Sequence, residues 1–303
     1  MTKQLLLIDG NSIVFRAFFA MHNQMDKFTN KDGLHTAAIY GFKLMLDHVL
    51  QNFKPDAALV AFDAGKVTFR TKMYDDYKGG RNKTPNELTE QIPYVRELIK
   101  DSGLHSYTLA KQADDAGYKT LIVTGDRDLT QLASENTTVA VTHKGVTDTE
   151  HYTPAHVEEK LGITPRQIID MKALMGDSSD NYPGVTKIGE KTAIKLVKQF
   201  GSVEELYDHI DDLKKSKMKE HLIEDEEVAR QCKTLATILQ DAPIKIGLDD
   251  LQYQGPQTDD LIKFYKEMGF KSFLKKMDID GVGEEDEAEI APIDYTVLTK
   301  DNL

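Results

Sequence analysis

Three aspartates each close a short apolar run: Asp9 after Leu5-Leu6-Leu7-Ile8, Asp63 after Ala57 to Phe62, and Asp126 after Leu121-Ile122-Val123-Thr124-Gly125. Asp128 stands two residues beyond Asp126, and Asp177 and Asp180 share the loop Gly176-Asp177-Ser178-Ser179-Asp180-Asn181. The pair Asp114-Asp115 is a further candidate. Carboxylates gathered without a cation raise one another's pKa, so a cluster of them calls for positive charge. An all-oxygen set with no histidine or cysteine beside it suits a hard divalent ion, Mg²⁺ or Mn²⁺. Two such ions about 3.5–4 Å apart can activate water and stabilise the leaving oxygen of an in-line phosphodiester displacement. Taken singly, each acid reads as a solvated strand end or a helix cap. Three strand-terminal acids and an Asp-Ser-Ser-Asp loop in one chain favour a shared metal site.

Two segments could hold the phosphates of such a substrate. Lys66, Arg70, Lys72, Lys78, Arg81 and Lys83 are interleaved with Phe69, Tyr74 and Tyr77 against only two acids, Asp75 and Asp76. Cations supply phosphate affinity, and aromatic faces can stack on the bases of single strands. A charged surface loop is the plainer reading, but Tyr77-Lys78-Gly79-Gly80-Arg81 is more specific than that. The second segment, Gly184 to Ala193, is a turn with glycine at both ends that opens a helix, with Lys187, Lys191, Lys195 and Lys198 along it. Backbone N–H groups at such a helix start can approach a phosphate and grip duplex without reading bases. An ordinary helix-turn-helix is the alternative, and the neighbouring acids favour DNA.

The elements that must position these residues follow from the pattern. Continuous apolar runs separated by helix-like stretches such as Ala37 to Asn52 suit strands buried on both faces of a parallel sheet. Ligands of such sheets bind beyond the carboxyl ends of the strands, where the three acids would converge. Past residue 150 the pattern turns helical. Thr153-Pro154 starts one helix, Thr164-Pro165 starts another over Arg166 to Met175, and Asp259 to Met268 is amphipathic. Residues 278–291 are an acidic, solvated linker, and 292–303 read as the truncated start of a further domain.

The formal charge of −12 argues against DNA until its distribution is considered. Residues 278–303 carry nine acids against Lys300 alone, which leaves only −4 on the preceding 277 residues. A single cysteine, Cys232, excludes an internal disulfide and fits a reducing compartment. No apolar run is long enough for a signal peptide or a membrane span, so a monomeric cytoplasmic protein is expected.

These residues together resemble the 5′-nuclease superfamily, which includes flap endonucleases, and within it the 5′–3′ exonuclease domain of bacterial DNA polymerase I. The landmarks are Leu7 to Ser12, Phe15-Arg16-Ala17-Phe18, Tyr40-Gly41-Phe42, Phe62-Asp63, Phe69-Arg70, Tyr77 to Arg81, Gly125 to Asp128, Gly176 to Asn181 and Gly184 to Ala193, and the resemblance covers residues 3–277. It implies an α/β fold: a PIN-like parallel-sheet nuclease domain with a helical arch (1–150), then a helical helix-hairpin-helix subdomain (151–277). It implies two Mg²⁺ or Mn²⁺ ions, with Asp9, Asp63 and Asp126 at the first and Asp128, Asp177 and Asp180 at the second, and a K⁺ ion at the hairpin. Lys78, Arg81 and Arg70 match catalytic cations. Arg16, Tyr77, Gly184, Lys187, Gly189, Lys191 and Thr192 match DNA contacts. The implied partners are DNA with a 5′ flap or 5′ end and the polymerase domains of a parent chain.

One departure stands out. The family carries Glu-Ala-Asp-Asp at the start of a helix leading to the strand before Gly125-Asp126, whereas here Gln112 stands in the place of Glu. Only five residues separate Asp115 from Leu121, too few for that helix. The expectation is that the segment bearing the true motif is missing and that catalysis is impaired, leaving a DNA-binding nuclease fold.

Overall fold

The computed structural model describes residues 2–63, 68–80, 83–102, 104, 118–143, 148–240 and 247–277. The three apolar runs form β1 (Gln4–Asp9), β2 (Ala57–Ala61) and β3 (Lys119–Thr124), with β1 central and parallel to both neighbours. Two strands that the sequence pattern did not mark extend the sheet. β4 (Thr137–Thr142) runs parallel to β3, and β5 (Thr149–Tyr152) closes the edge antiparallel, giving the order β2-β1-β3-β4-β5. Threonines break up their apolar signal, although Thr137 and Thr142 are buried.

Side chains alternate across the sheet, and the alternation sorts them into two cores. Leu6, Ile8, Ala58, Val60, Leu121, Val123 and Ala140 face α1 (Gly10–Met21), α2 (Ala37–Phe53) and α4 (Asn86–Asp101). Leu5, Leu7, Leu59, Ile122, Val139 and Val141 face the helical half of the chain. Full burial of each such aliphatic side chain contributes about 1.5–3 kcal/mol, so the sheet is fixed from both sides. After β2 in the chain come α3 (Phe69–Met73) and the turn 75–80, which join the core on the helical side through Tyr74 and Tyr77.

The helical half comprises α5 (Pro154–Leu161), α6 (Gln167–Met175), α7 (Glu190–Phe200), α8 (Val203–Asp208), α9 (Lys217–Glu224) and α10 (Glu226–Ala236). Thr153 caps α5 through its hydroxyl with Pro154 in the first turn, as expected, while α6 begins one residue after Arg166. Two last helices, α11 (Thr258–Met268) and α12 (Lys271–Lys276), leave this half and return to the first core. Leu261, Phe264, Tyr265 and Met268 recur at helical spacing on one stripe of α11. Tyr40 of α2 meets Phe270 and Phe273 at ring distances of 5.3 and 4.8 Å. Thus 258–276, placed by sequence in the second subdomain, is anchored on the first. Among the described residues, no helix is long and apolar enough to cross a membrane.

Candidate active site

The carboxyl ends of β1 and β3 are tied together by short polar bonds. Asp9 caps α1, accepting from the Ser12 amide at 3.0 Å, and its other oxygen accepts from the Thr124 hydroxyl at 2.9 Å. The Asp126 amide donates to that same hydroxyl at 3.0 Å, and the Gly125 amide donates to the Ser12 hydroxyl at 2.9 Å. A side chain at Gly10 would strike the Phe62 ring and the Ala61 carbonyl, so only glycine lets α1 start this close to β2. Asp126 in turn accepts from the Asp128 amide at 2.9 Å.

Electrostatics link all six aspartates. Burial, reinforced by Asp63, pushes the Asp9 carboxyl above its usual range against the pull of its two hydrogen bonds and Lys78. Burial likewise raises Asp126, with Asp180 and Asp9 adding repulsion and Lys78 opposing it. Burial raises Asp128 despite Lys172, with Asp126 and Asp177 pushing the same way. Asp177 is the exception: outweighing its desolvation, Lys172, Ser179 and neighbouring amides lower it to about 2. The Lys172 ammonium bridges the two acids, 2.9 Å from Asp128 and in direct contact with Asp177.

The donor chemistry fits a hard divalent cation: six carboxylates, three of them held protonation-prone by burial and mutual repulsion. The buried Tyr182 hydroxyl, within electrostatic reach of Asp128, Asp177 and Asp180, has no hydrogen-bond partner among the described residues. No group of three or more acids, histidines or cysteines among those residues is already arranged to hold a metal ion. Lys172 supplies the local positive charge beside Asp128 and Asp177. Sequence reasoning missed Ser12, Thr124, Lys172 and Tyr182. Lys172, five residues before Asp177 and one turn from the end of α6, was the one with a readable signal.

The predicted phosphate residues divide. Lys78 reaches the acids, lowering both Asp9 and Asp126. Arg81, Lys66 and the pair Asp114-Asp115 lie outside the described residues. Arg70, expected as a catalytic cation, instead braces the fold, because its Nε and Nη2 donate to the Leu235 and Thr237 carbonyls at 2.7 and 2.5 Å. Those carbonyls end α10 and need donors there, which a guanidinium provides. Tyr77, expected to stack on bases, is only 9% exposed, and its hydroxyl donates to Asp180 at 2.7 Å. Arg16 is half-buried beside Gly125 and donates to the His143 carbonyl at 2.8 Å.

In the hairpin, Gly184 and Gly176 both have positive φ and lie back to back, so the Gly184 backbone meets protein rather than solvent. Gly189 is the open one. Nothing lies within 4 Å of where its side chain would be, and it caps α7, its carbonyl accepting from the Thr192 and Ala193 amides at 3.0 Å and the earlier amides of the first turn lying at the open end of the helix. Lys187 and Lys191 are exposed on either side of it, and Thr192 is half-exposed.

Residues 4–162 match the family described as 5′-3′ exonuclease, N-terminal resolvase-like domain, and residues 163–259 match 5′-3′ exonuclease, C-terminal SAM fold. The chain belongs to the 5′-3′ exonuclease family. It is 53% identical over 309 residues to DNA polymerase I of Streptococcus pneumoniae (strain ATCC BAA-255 / R6), covering 98% of this chain and 34% of the relative. DNA polymerase I of Bacillus subtilis (strain 168) is 48% identical over 309 residues, covering 98% and 35%. The chain spans about a third of the length of the curated relatives it matches. An alignment of 309 positions that takes in 98% of 303 residues, about 297, holds about 12 positions at which this chain has no residue. T5 5′-exonuclease with bound zinc shares the fold at a TM-score of 0.62 and 22% identity, over 88% of this chain and 99% of that one. The catalytic core of Rad2 in complex with DNA substrate does so at 0.59 and 17%, over 92% and 93%.

Proposed function

We propose that this chain is the structure-selective 5′–3′ exonuclease and flap endonuclease module of a DNA polymerase I, serving replication and repair in the cytoplasm as a monomeric part of a longer chain. The observation that carries the reading is the electrostatic coupling of Asp63, Asp9, Asp126, Asp128 and Asp177 in succession, with Asp180 joined through Asp126, and with Lys78 acting on Asp9 and Asp126. Asp9, Asp63 and Asp126 would hold one divalent ion and Asp128, Asp177 and Asp180 a second. Bound there, Mg²⁺ or Mn²⁺ supplies the charge that activates water and stabilises the leaving oxygen. Lys78 and Arg81 then neutralise charge developing on the scissile phosphate, which acts mainly in the transition state. A second ion held there would compete with Lys172 for Asp128 and Asp177. The domains are 1–150, carrying the chemistry, and 151–277, gripping duplex, with α11 and α12 bracing the first.

A second reading, a DNA-binding nuclease fold with reduced catalysis, is favoured by the missing Glu-Ala-Asp-Asp segment and by alignments longer than the chain itself. The two separate on a labelled 5′-flap DNA titrated with Mg²⁺ and Mn²⁺. The expected result is flap binding with slow cleavage that rises only at high metal concentration, changed little further by Asp114→Asn with Asp115→Asn. Full activity at ordinary Mg²⁺, lost in that double variant, would show that the pair has become part of the metal site. No cleavage of DNA at any metal concentration would remove the nuclease reading.

The hairpin makes a separate prediction. Lys187 and Lys191 flank the open N-terminus of α7, where phosphate and a bridging K⁺ ion would sit under this proposal. Replacing both by alanine should reduce the slope of log K against log [salt] for duplex binding by about one unit per lost phosphate contact. An unchanged slope places the duplex elsewhere.

A further inference from the structure

Resting on that reading, we propose that Tyr77 is a positioning residue: its buried hydroxyl orients the Asp180 carboxylate and latches the basic turn 75–80 to the carboxylate loop 176–182, so that the two act as one body. Three bonds between described residues cross the seam. The Tyr77 hydroxyl donates to Asp180 Oδ2 at 2.7 Å, the Lys78 amide donates to the Asp180 carbonyl at 3.0 Å, and Asn181 Nδ2 donates to the Asp76 carbonyl at 2.9 Å. The loop is itself closed by paired backbone bonds between Asp177 and Tyr182, of 2.9 and 3.1 Å. Residues about a hundred positions apart are thereby held in register.

The backbone shows that this register is imposed. Lys78 and Asn181 flank the seam at φ of 60° and 58°, a left-handed conformation that asparagine visits readily but that costs a lysine about 1–2 kcal/mol. Such strain persists only where surrounding contacts over-determine it. The Tyr77 ring is part of the hydrophobic core, so packing places its hydroxyl rather than a mobile chain. A hydroxyl-to-carboxylate bond is charge-assisted and short, and it fixes which way the carboxylate faces. Lys78 follows Tyr77 directly, and its ammonium lies 5.2 Å from the centre of the Tyr77 ring. The cation that faces the first carboxylates and the acid of the second set are therefore positioned by one joint.

Tyr77→Phe removes the hydroxyl and keeps the ring, so the core stays filled. Mn²⁺ alone is titrated calorimetrically into the whole chain without DNA, for wild type, Tyr77→Phe and Asn181→Gly; the last allows the positive φ while losing the Asp76 bond. The expected result is a drop of about 10-fold in Mn²⁺ affinity for Tyr77→Phe, the scale on which groups that orient metal ligands act. Lower kcat with unchanged KM for flap DNA should accompany it. In Asn181→Gly, amide hydrogen exchange across 75–80 should quicken. Unchanged Mn²⁺ affinity in Tyr77→Phe, beside a wild type that binds, overturns this proposal and leaves the nuclease reading standing. A wild type that binds no Mn²⁺ overturns both. If the ring served to stack on bases, Tyr77→Ala alone would raise KM while Tyr77→Phe left metal affinity intact, and that pattern also refutes the latch.

Discussion

Asp126→Asn should melt higher than wild type without metal and cut DNA at least about 100-fold more slowly with it. Asp126 stands open to solvent, yet desolvation by the surrounding protein, with Asp180 and Asp9 repelling, disfavours its charge. The amide is nearly isosteric and can still accept from the Asp128 amide, so what disappears is charge rather than shape. Relief of that like-charge repulsion, screened because Asp126 is open to solvent, is worth at most about 1 kcal/mol, about 1–2 °C in Tm at this chain length. The opposite sign for function follows from the same fact, because the charge that destabilises the metal-free fold is the charge that would hold the ion. Thermal melts with and without Mn²⁺ check both halves. A wild type that Mn²⁺ fails to stabilise, or a variant that melts lower, would contradict the argument.

The pH dependence follows the same logic. Asp9, Asp126 and Asp128 all have folded values above the ordinary 3.8. As pH rises past 3.8 the unfolded chain gives up these protons before the folded one does, so the metal-free fold loses stability until the raised values are passed. Asp177 works in reverse. Its lowered value, about 2, contributes stability above 3.8 that is lost as pH falls towards 2. Asp126→Asn should therefore flatten the loss on the alkaline side and leave the acid limb alone.

How much of this was legible in the sequence depended on whether the determining contact was local. Asp9, Asp63 and Asp126 could be read because each ends an apolar run, and a parallel sheet delivers such positions to one edge whatever else the fold does. The starts of α5 and α7 could be read from Thr153-Pro154 and Gly189, whose effects reach only a few residues. The bonds of Tyr77 and Arg70 could not be read because their partners, Asp180 and the end of α10, lie 103 and 165 residues away. In isolation a tyrosine among lysines looks like a stacking platform, and only the tertiary fold turns its hydroxyl inward. The same holds for α11, whose apolar stripe was plain but whose destination was not, since a stripe specifies burial without naming the surface that buries it. β4 escaped because its threonines are buried by neighbours on both sides of the sheet rather than by their own hydrophobicity.

Gly184→Ala should cost the fold several kcal/mol, and Gly189→Ala, five residues on, no more than about 1 kcal/mol. Both were read as glycines that admit a phosphate, yet their surroundings differ. Gly184 has φ of 65°, and an added Cβ would overlap the Gly176 backbone nitrogen and come within 2.5 Å of the Met175 carbonyl carbon. Those atoms end α6 and cannot swing aside as the tip of a long side chain can. Gly176 mirrors the arrangement, with φ of 73° and the Pro183 carbonyl in the way of its own Cβ. Left-handed strain of about 1–2 kcal/mol adds to an overpacking cost of about 1–3 kcal/mol. The damage should not stay local, because the Val185 amide donates to the Leu174 carbonyl at 2.8 Å and the Asp177–Tyr182 pair closes the loop between them. Forcing Gly184 and Gly176 apart opens that loop, so Asp177 and Asp180 lose their register with Asp128 as the hairpin loosens. Gly189 has φ of −99°, which any residue adopts, and empty space where a side chain would go. Urea unfolding of the two variants gives the comparison directly. Equal small losses would mean that the turn adjusts freely and that the back-to-back glycines do not set the position of the second carboxylate loop.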